Sequence, residues 1–224
     1  MCARYTLTAA PPRVEAFLEA TGGAFLRPRF NVAPGQEAPV AVAARGGRTL
    51  VAQTFGVALR AGGRAAGARS PNARAESAAE LPAFRDAFRR RRGLVPADGF
   101  YEWRRGRHGP VPHHVALPGR ALFALAALFE PGAAGGAAGG SFALLTGPAP
   151  GTLRGLHPRA PILVAPAHFD AWLDPALEHP ARLRALLGNE LAEALAFRPV
   201  DPRVNDPRFD DPACLEASPQ LSLL

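Results

Sequence analysis

Lysine is absent from this chain: all 26 basic residues are arginine, set against 19 acidic residues for a formal net charge of +7. A lysine-free protein has one primary amine, at its N-terminus, so Schiff-base chemistry is confined to that end. The phosphate-binding loop that closes on Gly-Lys-Ser/Thr is excluded for the same reason. Cysteine is nearly as scarce, with Cys2 and Cys214 far apart. Two such residues make neither a disulfide framework nor a CxxC metal pattern. No two of Cys, His, Asp or Glu stand at a zinc-ligand spacing beside a matching second pair, so the expected chemistry uses no metal and no cofactor. No apolar run approaches the roughly 20 residues needed to cross a bilayer, and residues 1–20 lack the order of a secretory signal. A cytoplasmic protein with no membrane partner is expected.

What is present is arginine, alanine, glycine and proline, the usage that GC-rich codons favour. Whatever its origin, the positive balance suits an anionic partner, most economically a nucleic acid. With 224 residues, 48% of them hydrophobic, the chain can bury one good-sized core, and it contains no internal repeat. We expect a single monomeric domain over 1–224. Cys2 holds an unusual place, because methionine before a small residue is normally removed. Its loss would leave a free α-amine beside the Cys2 thiol.

Periodicity predicts mixed strands and peripheral helices without regular βαβ alternation. That argues for an α+β fold around a mainly antiparallel sheet or open barrel. Helices are predicted over Pro12–Thr21, stopped at Gly22-Gly23, and over Pro82–Arg92, with proline first, arginines last and Gly93 as the stop. Strands are predicted at Pro39–Ala43, Thr49–Leu59, within Gly93–Trp103 on either side of a Pro-Ala-Asp-Gly turn, and at Ala121–Phe129, Phe142–Thr146 and Ala160–Val164. The basic stretch 60–69 reads as a surface loop and PGAAGGAAGG at 131–140 as a hairpin loop. The motif-bearing core ends near residue 165. Beyond it, Ala167–Leu173, Ala181–Leu187 and Glu190–Phe197 read as helices, and the chain after Pro199 as extended.

Four stretches concentrate polar chemistry where strands meet loops: Cys2 with Arg4, Asn72 with Arg74, Glu102 in FYEW, and His157 with Arg159. If the Glu102 face is buried, desolvation raises its pKa toward the range useful for proton transfer; otherwise it is an exposed hairpin carboxylate paired with Arg104 or Arg105, and the pattern does not choose. Asn72 could equally be a turn residue or a helix cap, and Cys2 a small hydrophobe under the sheet. His157 is one of six histidines, the others being His108, His113, His114, His168 and His179; it is set apart by preceding a buried-looking strand.

In order, MCARY, FNVAPGQ, NARAES, RRGLVPADGFYEW, LLTGPA and HPRAPILV resemble the SOS response-associated peptidase family, the SRAP domain of abasic-site-processing proteins. The resemblance runs from Cys2 to about Val164, and more weakly to VNDP at Val204–Pro207. It implies a nucleoid-associated protein whose partner is single-stranded DNA carrying abasic sites. Cys2, exposed by autocatalytic removal of Met1, would form a covalent crosslink that shields the lesion. Asn72, Glu102 and His157 would complete the catalytic set. Arg4, Arg74 and Arg159 would grip phosphates, and Pro34, Phe55 and Trp103 would lie against the DNA. Three positions depart from the family pattern: Ala3 replaces a glycine, Phe55-Gly56 replaces a Trp-Gly stacking wedge, and Ala160 replaces a methionine.

The chemistry is consistent with that implication. An amine condenses with the aldehyde of an opened abasic sugar, releasing water, and a thiol two carbons away adds to the C=N bond to close a thiazolidine. Reference pKa values of roughly 8 for the amine and 8.5 for the thiol leave a reactive fraction of each at neutral pH. Two other classes remain open: an N-terminal-nucleophile peptidase or amidohydrolase acting in trans, and a non-covalent single-strand-binding module.

Overall fold

The computed structural model describes residues 2–58, 69–106, 109–188 and 190–218. Among them a mostly antiparallel β core carries short helices on its outside. Gly47–Phe55, Glu37–Ala44, Arg92–Ala97, Phe123–Glu130 and Ser141–Pro148 pair in that order, each antiparallel to the next. The path then returns on itself, because Ser141 and Phe142 pair in parallel with Thr54 and Phe55. The path is therefore joined into a barrel at this seam, within the mainly antiparallel core that was expected. Phe55 and Phe142 stack across it with ring centroids 5.0 Å apart and planes within 6°. Arg92–Ala97 is buried along its whole length and Phe123–Glu130 along its first six residues, which is why these strands read as continuous rather than alternating apolar runs.

A second, five-stranded antiparallel sheet runs in the order Ala196–Pro199, Gly109–Ala116, Gly99–Gly106, Tyr5–Leu7 and Arg29–Val32. The Pro-Ala-Asp-Gly turn expected to join two neighbouring strands is instead the corner between barrel and sheet. Asp98 makes it. Its carboxylate accepts the Thr6 hydroxyl at 2.6 Å, the Thr8 N–H at 2.8 Å and the Thr8 hydroxyl at 2.5 Å, while its own N–H bonds the Thr6 carbonyl. Gly99 follows because a Cβ there would lie 2.0 Å from His114 Nε2.

Three helical expectations change. The first helix is Pro11–Leu18 and ends on Glu19 in the left-handed region, not at Gly22. The second is only Arg85–Arg90, with Pro82 in the turns before it. Gly93 is no cap: it lies inside a strand where a Cβ would meet Val40 Cγ1 at 2.4 Å. Arg92 enters that strand because its buried guanidinium donates to the carbonyls of Phe88, Arg89, Trp172, Asp174 and Leu177. Glu190–Phe197 splits into a 3-10 turn, Glu190–Ala194, and the edge strand Ala196–Pro199.

After Pro199 the chain is a strap over the five-stranded sheet, with 3-10 turns at Pro202–Asn205 and Pro212–Leu215. Each turn has aspartate as N-cap, Asp201 or Asp211, followed by proline, a pairing that accepts an orphan N–H and pre-sets φ. Val200, Val204 and Cys214 of the strap bury Tyr101 in a small core of their own. The loop read at 60–69 and His108 lie almost wholly outside the described residues, as does the Leu59 end of its strand. No helix among the described residues is long and apolar enough to cross a membrane.

Candidate functional site

Side chains alternate across a strand, and in Gly99–Gly106 this separates two environments. Phe100 packs with the main core, while Tyr101 and Trp103 pack with the strap. Glu102 shares the Phe100 face and its side chain is 5% exposed, so it is the buried carboxylate and not the exposed one. Burial raises its pKa above the ordinary range, opposed in part by the charge of His157, whose Nδ1 lies 4.0 Å from Glu102 Oε1. His157 enters on a 3-10 turn, its N–H bonded to the Leu153 carbonyl at 3.0 Å, and Nδ1 receives the Arg159 N–H at 3.0 Å.

Cys2 belongs to the main core and is fully buried. Its Sγ donates to the Arg4 carbonyl at 3.7 Å, and that oxygen also accepts the Tyr101 N–H at 2.9 Å. Burial pushes the thiol pKa well up and the Glu102 charge pushes it further. The reference value therefore does not describe this thiol, which burial and the Glu102 charge both hold toward its protonated form. Glu102 is the carboxylate that bears on it.

The remaining candidates gather on one strand. Asn72–Arg74 runs parallel to Ser141–Pro148, and Arg159–Pro161 pairs with the same strand on its other side, so that Thr146 has Arg74 and Pro161 as register partners. Asn72 is thus a strand residue, and its Oδ1 is buried without a hydrogen-bond partner. Arg74 is exposed. Arg159 is mostly covered: Nη1 and Nη2 grip both oxygens of Glu76 at 2.8 and 2.9 Å, and Nη2 also donates to the Thr146 carbonyl at 2.7 Å. Glu76 and Thr146 both lie inside stretches whose pattern drew attention, NARAES and LLTGPA. Their roles stayed hidden because the partner, Arg159, is 83 residues from Glu76.

Three expected DNA contacts are engaged elsewhere. Phe55 is fully buried, stacked on Phe142 and edge-on to Tyr5 at 5.9 Å. It offers no face to a base, so the stacking role is replaced by a packing one. Arg4 gives Nη1 to Asn31 Oδ1 at 3.0 Å and the Val204 carbonyl at 2.7 Å, and Nη2 to the Asn205 carbonyl at 3.2 Å. Trp103 gives its indole N–H to Asn205 Oδ1 at 2.6 Å. Both hold the strap, on the face opposite Glu102. Pro34 is exposed beside Gly35, whose N–H bonds the Phe55 carbonyl at 2.8 Å. Among the described residues no three His, Cys, Asp or Glu side chains cluster as a metal site would need.

The chain is similar to solved structures of a Bacteroides thetaiotaomicron protein (TM-score 0.78, 18% identity, 97% of this chain and all of the other) and a phage-related protein of Bordetella bronchiseptica (TM-score 0.71, 27% identity, 89% and 94%). Among curated proteins it is 30% identical over 194 residues to the abasic site processing protein YoaM of Bacillus subtilis, covering 85% of this chain and 86% of that one. It is 33% identical over 147 residues to the abasic site processing protein HMCES of Gallus gallus, covering 56% and 43%. The model of the SOS response associated peptidase family matches residues 1–207. With nearly the whole length matched, the chain belongs to the SOS response associated peptidase (SRAP) family.

Proposed function

We propose that this protein processes abasic sites in single-stranded DNA by a covalent crosslink through Cys2, once Met1 has been removed by the same group of residues. One observation carries the reading. Cys2, Glu102 and His157 come from three distant parts of the chain, yet a buried carboxylate with a raised pKa bears on the thiol and stands 4.0 Å from the imidazole. The names of the curated relatives point to the same substrate.

In the proposed reaction the Cys2 α-amine attacks the C1′ aldehyde of the opened sugar, and loss of water gives the imine. Glu102, whose burial raises its affinity for a proton, takes the thiol proton as sulfur adds to the imine carbon, and the imine nitrogen regains a proton as the ring closes. His157 exchanges protons with the sugar hydroxyl during ring opening. The unpartnered Asn72 Oδ1 supplies an acceptor for an amine or a hydroxyl, and the exposed Arg74 supplies a phosphate contact.

The test is a denaturing gel of the purified protein with a single-stranded oligonucleotide carrying one abasic site. A shifted band that disappears in Cys2→Ala is expected, together with an intact mass lacking Met1. Protein that has lost Met1 and gives no shift sinks the reading. Peptide hydrolysis without a shift would instead favour a peptidase acting in trans.

A further inference from the structure

Two groups in the Arg159 cluster are anchored very differently. Arg159 sits on a strand, its side chain is 17% exposed, and Nη2 is tied to the Thr146 carbonyl independently of any acid. Glu76 sits on a turn with its side chain 49% exposed. Arg74 and Arg159 both hold its carboxyl below the usual range, the hydrogen bonds from Arg159 being the largest cause. If the pair opens, the guanidinium stays where Thr146 holds it and the carboxylate swings into water. A pair with one partner half in solvent opens at little cost. The fork that a guanidinium presents to a carboxylate is also the one it presents to a phosphate, two parallel N–H donors at hydrogen-bonding distance.

We infer that Glu76 is a phosphate surrogate: in the free protein its carboxylate fills the face of Arg159 that a DNA phosphate takes in the complex, so that strand binding exchanges one anion for another. The inference rests on the reading above, in which this face meets single-stranded DNA. It makes Glu76 a gate that lowers affinity for any strand unable to seat a phosphate between Arg74 and Arg159. A carboxylate serving merely as a brace for Arg159 would have the opposite effect when removed.

The experiment uses the full chain and an undamaged single-stranded oligonucleotide, which has no aldehyde to trap, with affinity read by fluorescence anisotropy at fixed salt and folding checked by thermal melting. Glu76→Gln should bind about three- to fivefold tighter, as when an ion pair of this exposure no longer has to be opened. The control Glu80→Gln removes a neighbouring carboxylate that is 60% exposed and paired with Arg184; it should stay within about twofold of the parent protein, a change too small to count as a released pair. Arg159→Gln should weaken binding, and Glu76→Gln should add no gain in that background. If Glu76→Gln binds no tighter than the parent while Arg159→Gln binds more weakly, the exchange is overturned and the site reading stands. Equal gains from Glu76→Gln and Glu80→Gln overturn it as a net-charge effect. If Arg159→Gln binds like the parent, or the parent binds no strand, the site reading fails and takes the exchange with it.

Discussion

Glu102 is ionisable yet placed among core residues, and this has consequences for both rate and stability. Glu102→Gln keeps the shape and removes the proposed base, so crosslinking to an abasic strand should slow by about 10²- to 10⁴-fold, measured by quenched time points on a gel. The stability effect has the reverse sense. A carboxyl whose pKa is raised on folding binds its proton more tightly in the native state, so stability falls as pH rises from the ordinary value near 4.5 through the native value. The glutamine variant should therefore melt above the parent at pH 7, and the gap should close below pH 4. A variant that melts lower at neutral pH would show that Glu102 is ionised at no cost. Phe55 gives the complementary residue-scale prediction. Phe55→Leu should lower the melting temperature and leave affinity for an undamaged strand unchanged, whereas Phe55→Ala, which opens a cavity at the barrel seam, should cost about 3–5 kcal/mol.

At the scale of elements, the corner at Asp98 sets where Glu102 falls. Burial alone would raise the Asp98 pKa, but the bonds from Thr6 and Thr8 and the charge of Arg120 bring it net below the ordinary value. Its stabilising contribution is present above the unfolded value of 3.8 and is lost as pH falls through the lower native one. Asp98→Asn leaves one acceptor oxygen where the carboxylate has two and removes the charge that pairs with Arg120, so that keeping the bond from the Thr8 N–H turns a donor toward Thr6; it should destabilise by about 3 kcal/mol. That is a fall in melting temperature of very roughly 6–12 °C for a chain of this size. Crosslinking should fall with it, because Gly99–Gly106 would lose its starting point.

The same corner shows what was legible in the sequence. Composition and pattern placed the five strands of the barrel path, the mostly antiparallel core and the stretches that carry Cys2, Asn72, Glu102, His157 and Arg159, but missed Tyr5–Leu7, Arg29–Val32, Gly109–Ala116 and Ala196–Pro199 of the second sheet. They could not tell that LVPAD and GFYEW enter different sheets, since the deciding bonds run from Asp98 to Thr6 and Thr8 some 90 residues earlier. Helix ends were missed for a related reason. Arg92 looks like the last turn of a helix until Trp172 and Asp174 present their carbonyls, and Ala196–Pro199 looks helical until His113–Ala116 offers an open edge. Phe55 was misread because an aromatic residue before glycine has the same pattern on a surface as in a seam; only the partner Phe142 distinguishes them.

For the molecule as a whole, the excess of arginine is partly committed to internal work. Arg4, Arg92 and Arg159 each spend several donors on carbonyls or carboxylates of the fold, so the formal +7 overstates the number of cations free to meet a strand. Affinity for single-stranded DNA should fall with salt at a slope of only about −0.7 for each phosphate actually contacted. Titrations over a range of salt concentrations would give that number, and a slope demanding more contacts than the exposed arginines can make would refute this accounting. The strap adds a matter of timing. Arg4 is bonded to carbonyls 200 and 201 residues further along the chain, so the end that carries Cys2 leaves the ribosome first and is seated last. While the chain is being made, the Arg4 segment has no finished surroundings, and only the arrival of Val204 and Asn205 completes them.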